Sequence, residues 1–573
     1  MHTKFNPDLI ELPASKLSSM AIVGHTTASS CKIWVRTYKA GPWRLVLSKQ
    51  PFDCDLVRLD DMGVEAYFSA NHIPVIVSPA INIQKSTDLT AVYQIQGLSR
   101  DTKYYYTLVS DISDASIVQR RAELGSENQY HFKTPPSKTE KLVFGYYSCH
   151  DPFSQRPHSE GAWPSFYQVL KDKNAAFCIG GGDQMYVDTN KKRDIYSITE
   201  WLAKYKNDII EHYSGDGVLD EAGVVELFVK MYRMYYRLYW NQSAMKKVLQ
   251  QFPQYMAWDD HEIMDGWGSY TQEERQDLLS KLLQNDDEQM NGRLLELLFH
   301  AAKNVYFEYQ HAHNPDTPAE AINSLSYTQG AQGLDYNYSV GLPQQNPECI
   351  WDYGYTTGPV ACYVLDVRGH HDYERSAQYG NALLGDAQMQ RLKKWLHSAK
   401  VKKSKAVFIA TAVPVVHWGR LIMNADFVSC VEDDLRDEWD HPSNWQERDK
   451  LLNHVMSFSQ DNNCPVTFLS GDVHCASIFR IESRSHAQAR VFNATSSAIS
   501  RKPNKKFMEV MMAKDGKMSG SEEYDIKCLN VFSGSHNFMT VTSDFSEPRA
   551  EIHIDLHWPG ENDDIASRRT TLE

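Results

Sequence analysis

The sequence predicts an all-β sandwich followed by an α/β domain. Two observations carry that reading. Short β-rich runs fill the chain up to about residue 135, and from residue 140 strand-like runs are separated by long helical stretches. Between them lies Thr134-Pro-Pro-Ser-Lys-Thr-Glu140, a short segment rich in breakers, so the expected division is 1–135 and 140–573.

In the first part, Lys32–Arg36, Arg44–Leu47, Ile73–Val77, Val92–Ile95, Tyr104–Val109 and Tyr130–Phe132 combine β-branched, aromatic and other apolar residues. They alternate with Gly, Pro, Asp and Ser turns, the pattern of a sandwich. The segment Ile95-Gln-Gly-Leu-Ser-Arg-Asp-Thr-Lys-Tyr-Tyr-Tyr106 resembles the corner of fibronectin type III modules, which implies a sandwich of that kind. In the second part, strands are expected at Leu142–Tyr147, Ala175–Ile179, Tyr255–Trp258, Cys362–Leu365, Ala406–Ala410 and Val466–Leu469. Phe538–Thr542 and Ile552–Leu556 read as closing strands, and Glu561 onward reads as a polar tail. Val224–Trp240 carries Phe228, Met231, Tyr235 and Tyr239 at helical spacing, a stripe that predicts core packing. Leu294–Tyr309 and Gln388–Leu396 are further expected helices, while the stretches 188–250 and 270–345 read as insertions shaping substrate access.

With 573 residues, 42% hydrophobic and 23% charged, the chain has the composition of a folded protein of two or three domains. Its net charge of −14 argues against coating nucleic acid, so such a partner is not expected. The basic runs Lys191-Lys192-Arg193 and Lys505-Lys506 read as solvated surface. No apolar stretch could span a bilayer and the first residues lack the apolar core of a signal peptide. Ten cysteines are scattered without a CxxC pair, several within apolar runs, which predicts buried thiols in a reducing compartment and a cytoplasmic location.

Four of the strands end in chemically unusual residues, at the position where open α/β sheets bind ligands. These ends are Ser148-Cys149-His150-Asp151, Gly180-Gly-Gly-Asp183-Gln-Met-Tyr186, Trp258-Asp259-Asp260-His261-Glu262 and Ser470-Gly-Asp472-Val-His474. Each alone has a plain structural explanation: a Gly-Asp turn, a buried thiol, a helix N-cap followed by first-turn acids. Together they are costly as structure, because clustered carboxylates repel and desolvate badly unless a cation neutralises them. A metal site is the expectation.

Gly182-Asp183-x-x-Tyr186 resembles the iron-binding motif of the purple acid phosphatases. Trp258-Asp-Asp-His-Glu and Gly471-Asp-Val-His474, with Ser148-Cys149 upstream, resemble the alkaline phosphatase D (PhoD-like) branch of the metallophosphatases. Asp260-His-Glu-Ile-Met-Asp-Gly-Trp-Gly-Ser269 further resembles its signal-peptide-less subgroup. The resemblance covers most of residues 140–540 and implies a four-layer α/β/β/α sandwich preceded by a β-sandwich. It implies that Cys149, Asp183, Tyr186 and His474 bind Fe3+, with Asp183 bridging to a second divalent metal completed by Asp260 and Asp472. The resemblance implies Ca2+ as that second ion, and oxygen-only ligation suits such a hard cation better than zinc. Two departures bear on that ion: Ala410-Thr-Ala-Val-Pro414 stands where related enzymes carry a histidine loop, and Asp265 replaces an asparagine and is not taken as a ligand.

The chemistry that follows is hydrolysis of a phosphate ester by a metal-held hydroxide attacking phosphorus in line. His261 is the candidate proton donor to the leaving oxygen, its alternative a structural hydrogen bond. Arg368 is the candidate catalytic clamp on a phosphate oxygen, its alternative an ion pair with Asp366. His150 and His417 are weaker candidates for lining the pocket. Two rival functions are a phosphodiesterase or nuclease, and a non-catalytic binding protein with a structural metal.

Overall fold

A computed structural model describes residues 19–52, 64–110, 130–188, 197–269, 288–315, 326–327, 334–335, 350–369, 383–419, 436–561 and 564–573. The run Lys191-Lys192-Arg193 and much of 270–345 lie outside them.

Near the N-terminus, Met20–Thr26, Ser30–Arg36 and Thr90–Gln96 form one antiparallel sheet, in that order. Val75–Val77, Gly41–Ser48, Lys103–Ser110 and His131–Lys133 form a second, with Ile81–Ile83 beside Gly41–Ser48. Successive strand residues point to opposite faces. Ala21, Val23, Cys31, Ile33 and Val35 therefore meet Trp43, Leu45, Leu47, Tyr106 and Leu108 in one core. Their neighbours Met20, Ile22 and Trp34 point the other way, into a different core built from the helices of the following part. Trp34 donates its indole N–H to the Glu308 carbonyl at 2.7 Å, and the Lys32 ammonium donates to the Asn314 carbonyl at 2.8 Å. At the corner before Lys103–Ser110, the Tyr104 hydroxyl accepts the Ser99 backbone N–H at 2.8 Å over buried Leu98.

Two larger sheets follow. The first runs Gln254–Ala257, Cys178–Gly181, Lys141–Tyr147, Phe538–Asp544, Glu551–Pro559, Ile565–Leu572; its first three strands are parallel and the rest antiparallel. The second runs Tyr353–Thr357, Val360–Val364, Ala406–Ala410, Val466–Ser470, Val491–Ser496, Ala476–Ser483, Tyr524–Phe532, Gly516–Lys517, with four adjacent parallel strands from Val360 to Ser496. Phe144, Ile179, Tyr255 and Val541 of the first sheet share a core with Val364, Phe408, Leu469 and Phe492 of the second. The opposite face of the second sheet, through Val407, Ile409 and Phe468, packs on Leu392 of helix Gly385–Leu396 and Leu452 and Val455 of helix Trp445–Asn462. The mixed α/β class is as expected.

The opposite face of the first sheet is covered by helices including Trp163–Asp172, Ser243–Gln251, Glu221–Tyr239 and Glu288–Tyr309. Phe228, Met231, Tyr235 and Tyr239 are all fully buried, as their spacing predicts. Burying an apolar side chain such as Phe228 or Met231 is worth about 1.5–3 kcal/mol. The helices within 198–251 thus pack as a layer on the core, joined by the short hairpin of Ser214–Gly215 and Val218–Leu219. The expected polar tail is corrected: Ile565–Leu572 pairs along its whole length with Glu551–Pro559. As an edge strand it buries little, so its apolar signal is weak, and Arg569 is held instead by Asp555 at 2.7 Å.

Candidate metal centre

Parallel pairing of Cys178–Gly181 with both Lys141–Tyr147 and Gln254–Ala257 brings three loops to one edge of the first sheet. The loop after Val466–Ser470 reaches the same place from the second. Sulfur, carboxylate and imidazole atoms of Cys149, Asp183 and His474 lie within 4.8 Å of one another there. Carboxylate oxygens of Asp183, Asp259, Asp260 and Asp472 form a second group of the same tightness, and Asp183 belongs to both. The Tyr186 hydroxyl sits 2.7 Å from Asp183 Oδ2 and 3.3 Å from His474 Nε2.

The backbone is bent hard to achieve this. Cys149, Asp183, Asp472 and His474 have φ of 57°, 56°, 61° and 51°, the left-handed region that costs a non-glycine residue roughly 1–3 kcal/mol. Hydrogen bonds between the loops offset that cost: the Cys149 N–H donates to the Gly182 carbonyl at 3.2 Å and His150 N–H to the Asp183 carbonyl at 2.7 Å. Two glycines are needed for close approach. A Cβ on Gly181 would overlap the Tyr146 hydroxyl, and Gly182, at φ 107°, would drive one into the Asp259 side chain.

Glu262, the last residue of the Trp258–Glu262 strand end, spends its carboxylate on hydrogen bonds. Its carboxylate accepts the backbone N–H groups of Asp183 (3.0 Å), Gln184 (2.7 Å) and Asp259 (3.0 Å), and the Gln310 amide at 2.9 Å. It therefore ties two of the loops to each other. Ser497 does similar work elsewhere: its hydroxyl donates to Cys149 Sγ at 2.9 Å and accepts the His474 N–H at 3.1 Å.

The electrostatics favour a cation. Burial, with Asp260 and Glu262 nearby, pushes Asp183 up to about 7. Burial and acidic neighbours likewise raise Asp259, Asp472 and the Cys149 thiol well above their ordinary values. Burial opposes the charge on Asp260, yet His261 and Arg368 hold that acid below its ordinary value. His474 is driven well below its usual range by burial, Arg501 and His261, so its ring stays neutral and can ligate. Asp183 Oδ1 and Asp259 Oδ2 are buried without a hydrogen-bond partner. Orphaned anionic oxygens in such a place fit a bound cation, which would replace the protons that burial otherwise demands.

The remaining candidates fare differently. His261 joins the cluster, with a ring atom within 4.8 Å of oxygens of Asp183 and Asp260. Its Nδ1 lies 2.7 Å from Asp188 Oδ2, and its ring centroid is 4.0 Å from that of Tyr186, the planes tilted by 37°. Burial opposes its charge, but Asp188, Asp260 and Asp183 raise its pKa well above the ordinary value.

Arg368 is also at the cluster, but the phosphate clamp needs correction. Its side chain is only 2% exposed; Nε donates to Asp259 at 2.5 Å, and Nη1 to Asp437 and to the Trp267 carbonyl at 2.8 Å. Nor does it pair with Asp366, whose Oδ1 accepts the backbone N–H of Arg368 and Gly369 and the Trp258 indole. Asp265, 58% exposed, faces His261 Nε2 at 3.8 Å on the outer side.

His150 is buried, and both of its ring nitrogens are hydrogen-bonded. Trp163 donates to its Nδ1 at 2.9 Å, so Nε2 carries the proton and donates to the Tyr239 carbonyl at 2.9 Å. His417 is buried among Ser477 and Cys475, at 2.8 and 3.2 Å. Burial alone pushes His417 down to about 3, so the unfolded chain, with an ordinary value of 6.5, binds the proton more tightly. Its neutral ring contributes stability fully above pH 6.5, and that contribution is lost as pH falls toward 3. The stability advantage of wild type over His417→Gln should therefore shrink by about 1.4 kcal/mol per pH unit below roughly 6.5, read by denaturant unfolding of both proteins at about pH 7 and 5. A gap that stays constant across that interval would refute the assignment.

Sequence reasoning missed Glu438 beside Asp472, and Arg501, while Asp259, one of the acids of its strand end, does join the cluster. The Arg501 guanidinium lies 4.4 Å over the Tyr186 ring and pairs with Asp151 at 2.5 Å. Asp259 was visible as the first acid of its motif. The other two sit in stretches without any motif.

Comparison with known proteins agrees with this geometry. A family model described as PhoD-like phosphatase matches residues 144–542. The uncharacterized protein YGR266W of Saccharomyces cerevisiae is 22% identical over 425 residues, covering 67% of this chain; the chain thus spans little more than half, 57%, of that relative's length. The solved structure of PhoD superposes with a TM-score of 0.58 at 15% identity, covering 99% of this chain and 90% of that one, a likeness of fold. The family match takes in every loop of the acidic cluster, and the chain belongs to the PhoD-like phosphatase family.

Proposed function

We propose that the protein is a metal-dependent hydrolase of phosphate esters, acting on monoesters, diesters or both. The observation that carries this reading is the Asp183 carboxylate shared by two tight ligand groups, one with a thiol and an imidazole and one made of carboxylates. On this reading Cys149, Asp183, Tyr186 and His474 hold a ferric ion, while Asp183, Asp260 and Asp472 hold a second cation, calcium. Phenolate and thiolate suit the first ion and an all-oxygen set the second. When bound, the cations activate water and neutralise charge on the phosphoryl oxygens.

The chain's own residues do the rest. Asp188 fixes His261 through Nδ1, which leaves Nε2 to hand a proton to the leaving oxygen. Arg368 acts as a positioning residue that holds Asp259 and Asp437 in place. The four-layer α/β/β/α arrangement, the fibronectin III-like character of the first sandwich and a boundary near residues 135–140 belong to the same proposal. The core shared by the two large sheets and the Tyr104 corner support them. A cytoplasmic location is supported by the free thiols of all seven cysteines among the described residues; no described helix is long and apolar enough to cross a membrane.

Elemental analysis with turnover of mono- and bis-p-nitrophenyl phosphate tests the reading. Iron should co-purify, a chelator should abolish hydrolysis, and Tyr186→Phe should remove visible absorption arising from tyrosinate-to-iron charge transfer. Protein that contains no iron and hydrolyses either ester equally well after chelation would overturn the proposal.

A further inference from the structure

Five large apolar side chains are strongly exposed among the described residues, and three of them fall within five positions: Phe507 at 59%, Val510 at 75% and Met511 at 42%. They lie on and just after the short 3-10 turn Lys506–Val510. Beneath them Met508 and Met512 pack on Trp418, Val473 and Cys475, so the turn is anchored while its apolar crest faces water. Lys502, Lys505, Lys506 and Lys514 surround the crest and are all exposed. The acid within the turn, Glu509, has its carboxylate occupied by the Ser533 N–H at 2.9 Å. In a chain of net charge −14 this is a local reversal of sign.

We propose that residues 502–514 dock the protein on an anionic phospholipid bilayer, with Phe507, Val510 and Met511 entering the interface and the lysines meeting the headgroups. Charge complementarity singles out that occupant. Lysines keep their heads in the polar layer while their stems lie along apolar surface, and clusters of them are drawn to anionic lipid. A protein partner fits less well. Specific interfaces favour arginine, are depleted in lysine, and bury far more surface than one convex turn offers.

The patch also adjoins the metal centre. The Asn504 N–H donates to the His474 carbonyl at 2.9 Å, and its amide to the Val473 carbonyl at 2.8 Å. A surface bound there is held next to the loop of Asp472 and His474. Docking itself is independent of hydrolysis, so its failure and that of the enzymatic reading are separately visible.

The experiment is co-sedimentation of the full chain with phosphatidylcholine vesicles, pure or containing roughly a third phosphatidylserine. Wild type should pellet with the anionic vesicles only, less so at high salt. The pairs Phe507→Ser with Val510→Ser, and Lys505→Glu with Lys506→Glu, should each weaken partition by about tenfold or more while hydrolysis of a soluble chromogenic ester stays unchanged. In the difference spectrum of a Phe507→Trp variant against wild type, which cancels the thirteen native tryptophans, the added emission should shift to the blue with anionic vesicles and be quenched by brominated lipid. Wild type that stays in the supernatant, as it would if the patch seats a protein, overturns the proposal. So do paired variants that sediment like wild type, or emission of the Phe507→Trp variant that is indifferent to vesicles.

Discussion

On the proposed two-cation reading, Asp183→Asn should lower hydrolysis of a chromogenic phosphate ester by about 10³-fold or more, some 4 kcal/mol of barrier, and purify with little iron. Two features make the loss specific. Asp183 is the one side chain common to both compact ligand groups, so its charge counts at both. Asparagine is among the few residues at ease with φ near 56°, and both backbone bonds of position 183, from its N–H to Glu262 and from His150 to its carbonyl, survive the change. The fold should therefore persist while metal and turnover go together. A variant that keeps iron and more than a tenth of the activity would show that the carboxylate is not shared between ions.

His261→Gln should behave differently, retaining the metal while kcat falls by about 10²–10³-fold, the usual worth of a positioned proton donor. The ring lies over Tyr186, and its Nδ1 is engaged by Asp188, which leaves a single nitrogen for the reaction. Metal analysis beside single-substrate kinetics separates the roles. Loss of metal would make His261 a ligand, and unchanged kcat would make its bond to Asp188 merely structural.

Much of the site was legible because strand ends advertise themselves. An apolar run that stops at Cys149, Asp183, Asp260 or Asp472 marks a rim; parallel neighbours carry the first three to one place, and the facing sheet brings Asp472. What stayed hidden was the allocation of partners. Arg368 ends a strand like a ligand-binding group, but its guanidinium is consumed by Asp259 and Asp437, contacts over long stretches of chain that spacing cannot reveal. Glu262 stands next to His261 in sequence yet points at backbone N–H groups of another loop. Arg501 belongs to no pattern and arrives only because the chain after Val491–Ser496 crosses the same edge.

The fold shows the same division. The helix stripe of Glu221–Tyr239 and the parallel strands were readable from period and composition, since burial on every side leaves unbroken apolar runs. Ile565–Leu572, polar and at a sheet margin, gave no such signal, and its pairing depends on a neighbour rather than on itself.

Trp34 carries one last consequence. The sheet that bears it turns a greasy back toward the helices, so the punctuation at Thr134-Pro-Pro marks a change of architectural style and not a detachable joint. A truncation that removed everything before Thr134 would bare to water the helical surface that receives Trp34 and its aliphatic companions.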